Sequence, residues 1–314
     1  MALIGNSDLD VFPLCLGGNV FGWTADEATS FEVLDAYTEA GGNFIDTADV
    51  YSAWVPGHTG GESETVIGSW LAKRGRRDDV VVATKVGSHP GFKGLKAATI
   101  KAGAEESLRR LGTDRIDLYY THFDDLETPV EEIVTALDAL VREGKVRHVA
   151  ASNISPERLA ASLAFAEREG LATYVALQQH YNLVEREQYE AGATALRDVV
   201  QAHGLASVPY FGLARGFLTG KYRPGVTVDS ARAEGARGYL DSERGPRVLA
   251  ALDEVAGAHG VEPASVALAW LRSRPTVVAP IASARTPGQL SALLASVSLQ
   301  LTSAELEQLT AASA

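Results

Sequence analysis

Four side chains have the types and the order needed to hand a proton to an oxygen: Asp46, Tyr51, Lys85 and His122. A phenol ordinarily ionises at about pH 10. An ammonium beside it stabilises the phenolate and draws that value down, and Lys85 is placed to supply one. A lysine brought into a partly dry site tends to shed its own charge, which a carboxylate such as Asp46 counters. A neutral His122 can hydrogen-bond a carbonyl oxygen and fix its direction. The set contains no obvious nucleophile, so the chemistry it suits is reduction of a carbonyl with hydride from a cofactor. His122, Asp124 and Asp46 could also be read as metal ligands. None of the seven histidines stands in a His-x-His or His-Glu-x-x-His arrangement, and a lysine among the ligands would set positive charge beside the cation, so no metal is expected.

Residues so far apart in the chain need a scaffold that gathers them. Eight short apolar runs rich in β-branched residues recur at 14–16, 43–46, 80–84, 116–120, 146–151, 175–178, 206–210 and 277–281, each followed by helical periodicity. Their centres lie about 27 to 37 residues apart, the length of a βαβ crossover, except for a gap of about 70 before the last. Strands alternating with helices in this way predict an α/β fold, a single (β/α)8 TIM barrel of parallel strands over residues 1–314, with an extra helix and a long loop between strands seven and eight.

Local signals support the helices. Val130, Ile133, Val134, Leu137, Leu140 and Val141 share one helical face, and Thr128-Pro129 with Glu131 predicts a capping box at its start. Ser155-Pro156 and Thr286-Pro287 repeat the pairing of cap and proline. The segment 221–245, rich in Gly, Arg and Asp, reads as a loop. A doubly wound sheet is the competing fold, but the turn Gly17-Gly18-Asn19-Val20-Phe21-Gly22 has the wrong spacing for a dinucleotide fingerprint. The stretch 216–221 fails as a P-loop, because Arg215 and Tyr222 stand where Gly and Ser/Thr are required.

In such a barrel the chemistry collects where strands end. The runs end on or lead to Asp46, Lys85, His122, Ser152-Asn153, Gln178, Tyr210, and then Ser283 and Arg285. Each alone suits a helix cap, a rim charge or a loop hydrogen bond. Their convergence on one rim points to a site. Trp23, Trp54 and Phe123 would give that rim an aromatic mouth for substrate, or simply pack over the barrel top.

Composition narrows the partners. With 314 residues, 46% hydrophobic and 22% charged, the chain can bury a sizeable core. A formal charge of −12 argues against nucleic acid as a partner. The single cysteine, Cys15, rules out an internal disulfide and reads as a small buried strand residue. No apolar run reaches the roughly 18 residues of a membrane span. Asp8 and Asp10 stand where a signal peptide would be basic and then apolar, so the expected location is the cytoplasm. Oligomeric state is not legible.

These residues resemble the aldo-keto reductase family from about Leu14 to the C-terminal helix. The carriers are Gly42-Asn43-Phe44-Ile45-Asp46-Thr47-Ala48-Asp49-Val50-Tyr51, Val82-Ala83-Thr84-Lys85, the stretch 107–119 leading to Thr121-His122, Ala151-Ser152-Asn153, Gln178 with Tyr181-Asn182-Leu183, and Leu218-Thr219-Gly220-Lys221-Tyr222. The resemblance implies NADPH bound in extended form and reduction of an aldehyde or ketone to an alcohol. Carried over, Tyr51 is the general acid, Asp46 and Lys85 tune it, and His122 orients the carbonyl. Ser152, Asn153 and Gln178 would hold the nicotinamide carboxamide and Tyr210 would stack on its ring. Leu213, Ser283, Arg285 and Gln289 would complete the cofactor site, with Arg285 and the start of the following helix reading the 2′-phosphate. The positions that commonly meet adenine are Ala292 and Leu293 here, which offer no such contact. The resemblance also admits a second class, a nucleotide-binding redox-sensing subunit with slow turnover like the β-subunits of ion channels.

Overall fold

A computed structural model describes residues 1–192, 195–228 and 233–314. Eight parallel strands form one sheet: β3 (Cys15–Gly17), β4 (Phe44–Asp46), β5 (Val81–Val86), β6 (Ile116–Thr121), β7 (Val146–Ser152), β8 (Tyr174–Gln178), β9 (Ala206–Ser207) and β10 (Ile281–Ala282). They follow chain order from β3 to β9, with β10 beside β3. The ring closes between β9 and the approach to β10, where Ser207 bridges Val277, Val278 N–H donates to Ser207 at 3.0 Å and Ile281 N–H to Pro209 at 2.8 Å. The α/β barrel is therefore the one expected, but its last two strands are shorter than 206–210 and 277–281. Pro209 and Pro280 have no N–H to give the ladder, which restricts regular pairing at this seam.

Strand alternation sorts the side chains into two cores. Phe44, Val81, Ala83, Leu118, Tyr120, Ala150, Ala176, Ala206 and Val208 fill the barrel interior. Ile45, Val82, Val86, Tyr119 and Leu177 face outward into the layer packed under the helices. The helices that follow β3 to β7 are α1 (Glu27–Glu39), α2 (Glu62–Arg74), α3 (Ala97–Leu111), α4 (Val130–Arg142) and α5 (Pro156–Glu169). Tyr37 of α1 ties its layer to the sheet, its hydroxyl donating to Leu14 O at 2.7 Å and Phe44 O at 3.0 Å.

Three local expectations need correction. Thr128 does not cap α4: Pro129 occupies the N-cap, and the Thr128 hydroxyl donates instead to Asp125 at 2.8 Å. Ser155 does cap α5, accepting from Arg158 N–H at 3.2 Å, whereas Thr286 sits at the N-cap of α11 (Pro287–Ser298) without a side-chain bond. Between β9 and β10 the chain forms α8 (Ala233–Leu240), α9 (Arg244–His259) and α10 (Pro263–Arg272), so 221–228 is loop as expected but 233–240 and 244–245 of that segment are helical. Residues 229–232 of that segment lie outside the described residues. Two short helices, α6 (Glu187–Glu190) and α7 (Leu196–Ala202), link β8 to β9, and α12 (Ser303–Ala312) follows α11.

An antiparallel N-terminal hairpin, β1 (Ala2–Leu3) with β2 (Asp10–Val11), precedes the barrel and was not expected from the sequence. Its Ile4, Leu9 and Val11 join the barrel-interior cluster and plug the end remote from the polar rim. Asn43 stitches it on, accepting from Phe12 N–H at 2.8 Å and donating to Asp10 O at 3.0 Å.

Candidate active site

Two-residue alternation carries each interior strand outward onto a polar residue: Phe44 to Asp46, Ala83 to Lys85, Tyr120 to His122, Ala150 to Ser152, Ala176 to Gln178, and Val208 to Tyr210. The centre is a tight hydrogen-bonded group. Lys85 Nζ, fully buried, donates to Asp46 Oδ2 at 2.7 Å, to Thr47 O at 2.6 Å and to Tyr51 Oη at 2.9 Å. Tyr51 Oη in turn donates to Asp46 Oδ2 at 3.1 Å. Gln178 Nε2 donates to the other carboxylate oxygen at 2.9 Å, so both Asp46 oxygens are held. All three donors of the ammonium are thus matched to acceptors, which is what a buried lysine requires.

The phenol behaves differently from the expectation. Burial, followed by the Asp46 carboxylate, pushes Tyr51 well above its ordinary range rather than lowering it. Tyr51 therefore keeps its proton in the resting site, and the ammonium at 2.9 Å matters after that proton leaves. His122 is neutral, driven well below the usual histidine range by burial and then by Lys85. Its ring lies 6.1 Å from that of Tyr51, and Nδ1 is buried without a protein partner.

Around this centre the other candidates separate into groups. Ser152 and Asn153 end β7, and Asn153 adopts a left-handed φ of 48°. Asn153 Nδ2 donates to His122 O at 2.9 Å and to Ser152 Oγ at 3.0 Å, while its Oδ1 accepts from Tyr210 Oη at 2.7 Å. Asn153 and Gln178 are thus already engaged within the protein, and Ser152 keeps a hydroxyl proton to give. Left-handed backbone at Phe211, Ala214 and Arg215 follows Tyr210, around Leu213, where such conformations for non-glycine residues mark a constrained functional loop. Across the seam Ser283 Oγ donates to Asn19 Oδ1 at 2.7 Å. Arg285 is partly exposed with no ion pair among the described residues, and Gln289 Oε1 accepts its backbone N–H at 3.0 Å. Leu293 is buried in the helix layer, away from the site.

The aromatic candidates form a rim. Trp23 and Trp54 meet edge to face at 5.6 Å, Trp54 meets Tyr51 at 6.1 Å, and Phe123 stacks on His122 at 5.1 Å. Trp54 and Phe123 are 49% and 53% exposed, unusual for large apolar side chains, and both stand at the mouth.

The family follows from the chain as a whole. A model of the Aldo/keto reductase family matches residues 13–314. The chain belongs to that family. It is 36% identical over 95% of its length to the uncharacterized oxidoreductase YrpG of Bacillus subtilis (strain 168), covering 91% of that protein. It is 34% identical over 95% of its length to the norsolorinic acid reductase stcV of Emericella nidulans, covering 77% of it. It is 31% identical over 98% of its length to the aryl-alcohol dehydrogenase GME11368 of Pestalotiopsis microspora, covering 80%. The chain is accordingly an NAD(P)H-dependent oxidoreductase. Among the described residues of this aldo/keto reductase, no helix is long and apolar enough to cross a membrane.

Sequence reasoning missed three contributors. The Thr47 carbonyl that accepts from Lys85 leaves no side-chain signature. The amide of Gln178 turned to Asp46 joins residues 132 apart in sequence. A second polar cluster lies outside the barrel wall: Glu64, fully buried, accepts from Arg110 Nε at 2.6 Å and from Thr84 at 2.5 Å. Beside it Asp49 is also fully buried, with neither carboxylate oxygen hydrogen-bonded to a side chain among the described residues. Burial and the nearby Glu64 raise Asp49 to about 8.

Proposed function

We propose that the protein reduces an aldehyde or ketone to an alcohol with NADPH, with Tyr51 as the general acid. The observation that carries this reading is the group Asp46, Lys85 and Tyr51 beside a neutral His122. A carbonyl oxygen placed between Tyr51 and His122 would receive a hydrogen bond from each. The bound nicotinamide supplies hydride to the carbonyl carbon. As negative charge grows on the oxygen, Tyr51 gives up its proton, and the Lys85 ammonium stabilises the phenolate left behind. Asp46, held by Gln178, pairs with Lys85 and aims its Nζ at the phenol.

The chain's residues fit the cofactor. Ser152 offers a hydroxyl to a carboxamide, Asn153 and Gln178 would exchange internal hydrogen bonds for ones to it, and Tyr210 offers an aromatic face to a flat ring. Leu213 and Ser283 would line the path to the phosphates. Arg285 and Gln289, beside the start of α11, would meet the 2′-phosphate, where a guanidinium can form paired charge-assisted bonds. Trp23, Trp54 and Phe123 favour a substrate with a flat apolar body. Two relatives are named for an aryl alcohol and for norsolorinic acid, in keeping with this choice. All these residues belong to what we read as a single barrel domain that takes a small-molecule carbonyl substrate.

The test is turnover. Purified protein with NADPH and a panel of aromatic and aliphatic aldehydes and ketones should oxidise the nucleotide, with aromatic aldehydes among the better substrates. Tight NADPH binding with no turnover across the panel would overturn the assignment in favour of a nucleotide sensor.

A further inference from the structure

We propose that His180 is a positioning residue that holds the ring of Tyr210 flat, and through it the plane on which the nicotinamide stacks. The proposal rests on the reading of Tyr210 as that platform. His180 lies two residues beyond Gln178 and Tyr210 two beyond Val208, so both side chains leave neighbouring strands on the same side and at the same level. A parallel bridge joins the two residues, with Tyr210 N–H donating to Gln179 O at 2.9 Å. The rings lie 5.3 Å apart and only 16° from parallel. Phe211 meets both at steep angles, 74° to His180 and 69° to Tyr210, and boxes the pair in.

Tyr210 is thus fixed on two sides: its hydroxyl by Asn153, itself tied to the His122 carbonyl, and one face by the imidazole. The other face is the one left for a ligand. His180 works through its ring face, since Nε2 is buried with no hydrogen-bond partner among the described residues. The imidazole is neutral, because burial lowers it, more than Glu185 raises it, and Arg215 adds a smaller push downward. A neutral ring puts no cation beneath a platform that must accept both the neutral reduced and the cationic oxidised nicotinamide. Tilting Tyr210 would change the angle of the nicotinamide relative to a carbonyl held by His122 and Tyr51, and hydride transfer is sensitive to such small misplacements.

The experiment measures NADPH binding by protein-fluorescence quenching and steady-state kinetics for His180→Ala, His180→Gln, His180→Phe and Tyr210→Ala. His180→Ala and His180→Gln should raise the NADPH Kd roughly three- to tenfold, the worth of a stacked aromatic pair. They should also lower kcat while leaving the carbonyl KM near the parent value. His180→Phe, which restores a flat ring, should recover both. The Gln variant keeps a polar side chain of similar size, so the outcome does not depend on the Ala variant folding. Parent-like binding and turnover in the Ala or Gln variants, or no recovery with Phe, would overturn the role of His180. If Tyr210→Ala also binds nucleotide as the parent does, the platform reading falls and the inference falls with it.

Discussion

Tyr51 is protonated at rest and positioned between a carboxylate and an ammonium, so its replacement by Phe isolates the acid from the ring. Tyr51→Phe should lower kcat by at least ~10²-fold, the usual cost of losing a general acid, with NADPH affinity retained; near-normal turnover would remove Tyr51 from the reaction. Asp46 and Lys85 share one ion pair, and Asp46→Asn already leaves the ammonium short of its counter-charge. The effects of Asp46→Asn and Lys85→Met on kcat should therefore fail to multiply in the double variant; strict multiplication would mean the pair does not act as a unit. Asp49 yields a prediction about pH. Its folded value, about 8, exceeds the roughly 3.9 of an unfolded aspartate, so between those values the folded chain holds a proton that the unfolded chain has lost. Stability from this group is full below about 4 and declines as pH rises toward 8. Asp49→Asn cannot ionise, so its Tm should fall less across that range than the parent's; parallel curves would show that Asp49 ionises freely. Single-residue chemistry was the most legible level of the sequence, because a Lys or His at the end of an apolar run is conspicuous. Asp49 was not legible, since its shift comes from burial and then from Glu64 on the following helix, neither of which the residues around it announce.

At the level of elements, alternation along a strand made most of the site readable: once Phe44, Ala83 and Tyr120 are interior, Asp46, Lys85 and His122 must emerge at the rim. Helix starts were less readable. The Thr-Pro pair before α4 looked like a cap, yet the N-cap falls on Pro129, and the Thr128 hydroxyl turns back to Asp125 three residues earlier in the same loop. At α11 the same pattern leaves the first turn without a side-chain cap, next to Arg285, which has no ion pair among the described residues. If this terminus reads the 2′-phosphate, Arg285→Ala should weaken NADPH by about 1–3 kcal/mol and leave NADH nearly unchanged, as measured by fluorescence titration. Equal weakening of both nucleotides would place phosphate recognition on another residue.

On the scale of the whole molecule, the barrel has a plugged end and a polar end. The plug was invisible in the sequence because strands of two residues carry no periodicity, and its apolar residues show their purpose only beneath a closed ring. Gly5 lets it fit: it has a φ of +52°, and an added Cβ would sit 2.2 Å from Val175 O. Gly5→Ala should cost about 2 kcal/mol or more in denaturant unfolding, and a parent-like midpoint would mean the hairpin is not seated against β8. The ring is also uneven around its circumference. Strands β5 to β8 run five to seven residues, whereas β9 and β10 have two each and meet through proline-bearing segments. Backbone amides at Ser207, Val278 and Ile281 should accordingly exchange with solvent deuterium before those of Thr84 and Tyr119. Lys85 stands on the long strand β5 and His122 just past the end of β6, while Tyr210, Ser283 and Arg285 flank the thin seam. Earlier exchange at that seam would put the give of the wall on the side proposed to take the nucleotide, and leave Lys85 on a strand paired along its length.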